Sequence, residues 1–245
     1  DLIIGTGSHT HIPMLLYKQK HLGKVVTSMT PDPPFLKYMD LCFIPEHDSP
    51  RKSDNIFVTI GPPNTALDTK VHDPKCGLIV IGGEDKKTHH WENEKILEKV
   101  RYILETQKDL SWTISTSPRT PEQMISMFEK LNDEFSGMTF VPFQKTPGGW
   151  IEEQYAQSRI TWVSADSVSM VYEALSAGCQ VGVLPVDWKN NKSKLARAIR
   201  LLEKNNQIVS FEAWKDKPLW PEHSVFNEAD RCAMEILKRW WPERL

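Results

Sequence analysis

The stretch Thr161–Pro185, TWVSADSVSMVYEALSAGCQVGVLP, decides the reading of this chain. ITWVSA closes a short apolar run typical of a buried strand. Asp166-Ser167 then makes a good helix start, because either side chain can cap free amide hydrogens. SVSMVYEALSAG reads as a helix that Gly178 stops in a left-handed turn. Gln180 to Leu184 returns as a second apolar strand and ends at Pro185. A strand–helix–strand unit of this kind makes its two strands parallel.

At about 100° per residue, Asp166, Ser169 and Glu173 share one face of that helix, within about 60° of each other. Val168, Val171 and Leu175 share the opposite face and are expected to pack on the sheet. The amide hydrogens and positive dipole end at the helix start suit a phosphate. Glu173 lies roughly 10 Å along the axis from Asp166. Its side chain leans back toward the helix start, where it can accept from ribose hydroxyls while the amides hold a diphosphate. A capped helix with a merely solvated polar face satisfies the same spacing.

Working outward, 245 residues hold one large domain or two modest ones. A hydrophobic share of 40% and a charged share of 25% describe an ordinary globular protein. The net charge of −2 gives no electrostatic case for nucleic acid or an anionic membrane as main partner. Cys42, Cys76, Cys179 and Cys232 lie far apart, without a CxxC pair or a histidine at metal spacing. That argues against a zinc site and fits reduced, buried thiols. No apolar run approaches the ~18 residues of a membrane span, and no signal peptide is seen. A cytoplasmic protein is expected, with peripheral membrane association left open. The chain opens without Met on the strand-like DLIIGTG, which predicts a start inside a domain.

In chain order, Leu2-Ile3-Ile4 reads as a buried strand and HTHIPMLLYKQK as a helix with Pro13 in its first turn. KVVTSM, LCFIPEHD and NIFVTIGPPN read as strands, and Thr65 to Lys75 as a linker. GLIVIGG is a strand and turn, and WENEKILEKVRYILETQK a long amphipathic helix. SWTISTSPRTP, PEQMISMFEKLNDEF, TFVPF and GWIEEQYAQS continue as strand, helix, strand and helix up to the opening unit. KSKLARAIRLLEKNN and FNEADRCAMEILKRWW are later helices. This alternation means parallel sheets covered on both faces. The predicted domains are 1–75, 76–225 and a terminal helix over 226–245.

In such sheets ligands sit where strands end and the chain turns into helices. Four of these turns carry Gly82-Gly83, Thr116-Ser117-Pro118-Arg119-Thr120, Pro147-Gly148-Gly149-Trp150 and Ser164 to Ser169. The glycine pairs would let backbone approach a ligand closely. Thr116, Ser117, Arg119 and the helix start at Asp166-Ser167 converge on an anion, while Trp150 or Ile151 could cover a planar base. Neither GxGxxG nor GxxxxGK[ST] is present, which disfavours a dinucleotide dehydrogenase or a P-loop NTPase.

GLIVIGG, WTISTSPRTP, TPGGWIEEQYAQS and WVSADSVSMVYEALSAGCQVGVLPV, in that order, resemble the ELM family, named after a plant protein of mitochondrial fission and populated mostly by bacterial proteins. DLIIGTGSHTHIPMLL and DLCFIPEHD match its earlier segments, so the likeness spans nearly the whole chain. The resemblance implies an α/β, GT-B-like protein of two Rossmann-like parallel-sheet domains. This chain departs from it in a first half too short for a complete domain of that kind, so the first domain is expected to be truncated or incomplete and the acceptor side is left open. It implies a nucleoside-diphosphate-sugar donor on the second domain, with Ser167 and Ser169 on the diphosphate and Glu173 on the ribose. It further implies no cofactor and no bound metal, in keeping with the missing DxD motif. The last helix, Asn227 to Trp241, is expected to brace the first domain.

A transferase of this kind needs a base for the acceptor hydroxyl and charge stabilisation for the leaving diphosphate. His11, His47 and Asp48 are the candidates for the base, although a lone histidine is more often a packing residue. The acceptor stays unknown. Three functions remain: a glycosyltransferase, a non-hydrolysing nucleotide-sugar epimerase that would want paired carboxylates such as Glu84-Asp85 or Glu152-Glu153, and a non-catalytic fission-type scaffold.

Overall fold

Short apolar runs separated by polar turns build the first of two units, Asp1–Thr65 with Asn227–Leu245. The protein is described here by a computed structural model over residues 1–221 and 226–245. β1 (Leu2–Thr6), β2 (Lys24–Ser28), β3 (Leu41–Pro45) and β4 (Ile56–Thr59) form a parallel sheet in that order. α1 (His11–His21) connects the first two strands and buries Met14 against Val25, Cys42 and Ile44. The strand expected over LCFIPEHD ends at Pro45, which has no N–H to donate to a ladder. Glu46–Asp48 is instead a single 3-10 turn.

The second unit, Ala66–Phe226, holds the longer strand–helix series. It begins with β5 (Asp73–Ile81), the two-residue β6 (His89–His90) and α2 (Asn93–Thr106). β7 (Ser111–Thr116), α3 (Glu122–Glu134), β8 (Met138–Val141) and α4 (Trp150–Gln157) follow. Then come β9 (Ser158–Ser164), α5 (Val168–Ser176), β10 (Gln180–Leu184) and the two-residue β11 (Asp187–Trp188). α6 (Lys194–Lys204), β12 (Ile208–Ser210) and α7 (Phe211–Asp216) complete it. Six strands pair in the order β12-β10-β9-β5-β7-β8, every ladder parallel, and β6 and β11 make a separate antiparallel pair. The chain runs outward from β5 through β7 and β8, then returns to the other side of β5 to lay down β9. The direction of winding therefore reverses between β5 and β9.

β9, α5 and β10 form the parallel unit expected from the opening stretch. Gly178 has φ 88°, and a Cβ there would lie 2.6 Å from the Asp68 carboxyl carbon, so both backbone and space demand glycine. β5 begins at Asp73, so the boundary expected at 75/76 falls inside a strand; the units divide between Thr65 and Ala66. The expected limit at 225 lies outside the described residues. β12 and α7 are too short to show a period and were not foreseen.

α8 (Glu228–Trp240) belongs to the first unit. Asn227 caps it by accepting from the Asp230 amide at 2.9 Å. The buried Glu228 carboxylate accepts the Ile60 amide at 3.0 Å and Arg231 at 2.6 Å, fastening the helix to the end of β4. Cys232 and Ile236 pack on Val26, Leu41 and Phe43, with Trp240 and Trp241 against the same cluster.

In the second unit two tryptophans lie across glycines on neighbouring strands. Trp112 is paired with Gly77, and Trp162 with Gly182. A Cβ on either glycine would come within 2.5 Å of the ring. The fully buried Trp162 also meets Phe211, Trp214 and Trp220. Gly182→Ala forces that ring off its seat and is expected to cost about 1–3 kcal/mol, read as a lowered midpoint in denaturant unfolding.

Candidate functional site

Where winding reverses, the carboxyl ends of the two central strands leave a crevice, and ligands of open α/β sheets bind there. Here those ends are Gly82-Gly83 after β5 and Ser164 to Ser167 after β9. A fully covered carboxylate, that of Asp166, joins them. It accepts the Gly83 amide at 3.0 Å, the Ser164 hydroxyl at 2.7 Å and Arg119 Nη2 at 2.8 Å. The Ser164 Oγ in turn accepts the Gly82 amide at 2.7 Å. Thr120, on the turn after β7, donates its hydroxyl to the Gly82 carbonyl and accepts the Ser117 amide at 3.0 Å. Three strand ends are thus tied into one polar network.

Several expected roles change on this geometry. Asp166 does not stand on a solvated stripe and does not cap α5, whose N-cap is Ser167 with no side-chain cap bond. The close approach at Gly82 and Gly83 is to protein atoms. A Cβ on Gly82 would meet the Asp166 carboxylate at 2.1 Å, and one on Gly83 the Arg119 carbonyl at 2.1 Å. Gly149 has open space around it and instead serves its left-handed φ of 85° ahead of α4; Trp150 follows it, half-buried. The Thr116 hydroxyl accepts the Phe143 amide, and the Ser117 hydroxyl accepts the Arg119 amide at 3.2 Å, so both shape turns. Ser164 and Thr120, which carry the network, were missed as named roles. Their only signal is a hydroxyl residue at a strand's carboxyl end.

What faces outward is the start of α5. The amides of Val168, Ser169 and Met170 find no acceptor among the described residues. Arg119 stands beside them, 42% exposed, with Nη2 also 3.0 Å from the Ser167 hydroxyl. Ser169 is exposed, whereas Val168, Val171 and Leu175 are buried as the helical period predicts. Glu173 is half-buried rather than out in bulk solvent. Burial pushes its carboxyl up from the usual range, and the nearby Glu152 adds to this. Tyr155, almost wholly buried beneath, has its phenol held well above its usual range by the same burial and then by Glu173.

His11, His47 and Asp48 belong to the first unit, and the other site candidates to the second. His11 opens α1, buried, with Nδ1 4.0 Å from the Asp32 carboxylate and its ring against Phe35. His47 and Asp48 sit in the turn after β3, with His47 Nε2 3.9 Å from Asp48 Oδ1. Thr30 donates to the other Asp48 oxygen. Both groups therefore flank the connection after β2, at the carboxyl edge of the first sheet. Among the described residues no cluster of three His, Cys, Asp or Glu side chains could hold a metal ion, and no helix is long and apolar enough to cross a membrane.

This geometry defines a class of protein. The putative UDP-N-acetylglucosamine 2-epimerase of Listeria monocytogenes is similar with a TM-score of 0.56 at 15% identity, over 98% of this chain and 74% of that one. The UDP-GlcNAc 2-epimerase of Methanocaldococcus jannaschii gives a TM-score of 0.52 at 14% identity, over 96% and 77%. The Glycosylation Associate Protein (Gap123) complex of Streptococcus agalactiae gives 0.50 at 12%, over 88% of this chain and about half, 53%, of that one. The fold is α/β and GT-B-like, built of Rossmann-like parallel-sheet units. The family model described as Mitochondrial fission ELM1 matches residues 1–240, and the chain belongs to that family. No curated protein matches it.

Two outcomes follow from the network. Asp166→Ala strands the Gly83 amide and Ser164 hydroxyl and is expected to cost about 2–3 kcal/mol in denaturant unfolding. Arg119→Ala leaves the carboxylate its other donors and is expected to cost less than half as much. For Glu173 the acid's folded pKa is raised, so its ionisation opposes folding. Stability is lost as pH climbs from the ordinary carboxylate range through the raised value. Glu173→Gln should therefore raise the melting temperature at pH 7 and leave it unchanged at pH 4, in thermal unfolding at both.

Proposed function

We propose that the second unit binds a nucleoside-diphosphate sugar and that the protein is a metal-independent glycosyltransferase of the GT-B type, its acceptor unidentified. One observation carries the reading: a side-chain-uncapped helix start at the winding reversal, with Arg119 fixed beside it and a half-buried acid farther along the same helix. The amides of Val168 to Met170 and the exposed Ser169 hydroxyl would take the diphosphate, where the helix dipole favours negative charge. The buried Ser167 hydroxyl, which donates to Asp166 at 3.3 Å and accepts from Arg119 at 3.0 Å, would hold the guanidinium beside it. Glu173 would accept the ribose hydroxyls, and Trp150 would lie near the base. As the bond to the sugar breaks, charge grows on the leaving diphosphate. The same donors, already oriented, stabilise it without reorganising. Transfer also needs a base for the acceptor hydroxyl, and the residues proposed for it, His11, His47 and Asp48, belong to the first unit.

A second reading, a nucleotide-sugar epimerase, is favoured by the fold neighbours that carry that name. It asks for two carboxylates at the sugar. Glu84 is exposed immediately after the Gly82-Gly83 turn, and Glu152 and Glu153 are exposed on α4. A donor that isomerises without any acceptor would select this reading over transfer.

Glu173→Ala is expected to weaken nucleoside-diphosphate binding by about 1–3 kcal/mol in calorimetry, the cost of losing one hydrogen-bonding partner in a sheltered site. Equal binding by both proteins would remove Glu173 from the site. Thermal-shift comparison of uridine, guanosine, adenosine and thymidine diphosphates gives the base.

A further inference from the structure

His89 is a buried titratable side chain, 2% exposed, that none of the chemistry above employs. Its Nε2 lies 3.1 Å from the Gly83 carbonyl oxygen and its Nδ1 2.8 Å from the Thr88 hydroxyl. A carbonyl only accepts, so Nε2 carries the proton; Nδ1 is then the acceptor and Thr88 the donor. Two indoles, Trp91 and Trp188, meet the ring in T-shaped contacts, each with its centroid 6.0 Å away. Trp188 is the direct partner of His89 in the β6–β11 pair. The ring is therefore locked in orientation and tautomer.

The Gly83 carbonyl has a second suitor, Arg119 Nη1, at the longer distance of 3.4 Å. The neighbouring peptide groups of that turn are already committed: Gly82 N–H to Ser164, Gly83 N–H to Asp166 and Glu84 N–H to the Arg119 carbonyl. None of them can turn to relieve the Gly83 oxygen. With His89 donating, a buried carbonyl is satisfied and the guanidinium keeps one arm loosely held. Without it, the one donor left among the described residues is Arg119, which must close on the carbonyl, since a buried acceptor left unpaired is costly.

We infer that His89 is a positioning residue of the anion site: by satisfying the Gly83 carbonyl it keeps Arg119 turned toward the ligand at the start of α5. This rests on the nucleoside-diphosphate reading for its ligand. The tautomer and the link to Arg119 stand on the ligand-free geometry.

The test is a double-mutant cycle on the full chain, with uridine diphosphate as the probe in calorimetry. His89→Leu should weaken binding by ~5–10-fold, and the same change in an Arg119→Met background by less than about twofold, because the effect passes through Arg119. His89→Gln, whose amide nitrogen falls near the lost Nε2–H, should restore most of the affinity. Equal losses from His89→Leu in both backgrounds, or no rescue by glutamine, would overturn the inference. Nitrogen-15 spectra of the ligand-free protein supply the second arm. The Nε2–H tautomer should appear at His89, and the Arg119 side-chain signals should move in His89→Leu and return in His89→Gln. Arg119 signals indifferent to residue 89 sink the inference even if the nucleotide binds. Signals that move while wild-type protein binds no nucleoside diphosphate uphold the link and sink the nucleotide reading instead.

Discussion

A carboxylate taken wholly out of water must find donors for both oxygens, and Asp166 finds them on three separate segments. The requirement draws the turn after β5, the end of β9 and the Arg119 turn onto one point. β5 and β9 are hydrogen-bonded neighbours, and their carboxyl ends would otherwise part as the chain leaves in different directions. The two glycines after β5 are the steric counterpart of the same demand. Neither position has room for a Cβ once Asp166 and the Arg119 backbone have closed in.

The network also sets the charge of the site. Arg119 enters with one positive charge and Asp166 cancels it at 2.8 Å, so the pair adds little net field for an approaching anion. On the proposed reading, recognition would fall to oriented dipoles: the amides at the start of α5, the Ser169 hydroxyl and the outer edge of the guanidinium. Dipoles fixed by buried hydrogen bonds suit a group whose charge increases during reaction, because they need no rearrangement as it does so. The raised carboxyl of Glu173, sheltered on the same helix, belongs to the same economy of partly dry polar groups.

Much of this was legible in the chain. The apolar runs that became β5, β7, β9 and β10 are short, β-branched and bounded by turns, and the parallel β9–α5–β10 unit followed from them. The apolar face of α5 obeyed its period, with Val168, Val171 and Leu175 buried. Asp166 was misread, because the same helical wheel that sorted those valines put it among solvent-facing residues. It lies before the first helical residue, where the wheel no longer applies, and its orientation depends on Gly83, which stands 83 positions away. Ser164 and Thr120 stood in the quoted turns without a role for a similar reason, since a hydroxyl at a strand end has meaning only beside its partner.

By itself, the sequence determined the local matters: which segments are strands and helices, that strands joined through helices run parallel, that Gly178 ends α5, and which turns lie at strand ends. These depend on neighbours within a few residues, where periodicity and backbone sterics act. Only the tertiary structure decided that the winding reverses between β5 and β9, that Arg119 is bound rather than solvated, and that Asp166 faces inward. Those outcomes turn on pairings between distant segments, and burial of a polar group is a property of everything that surrounds it.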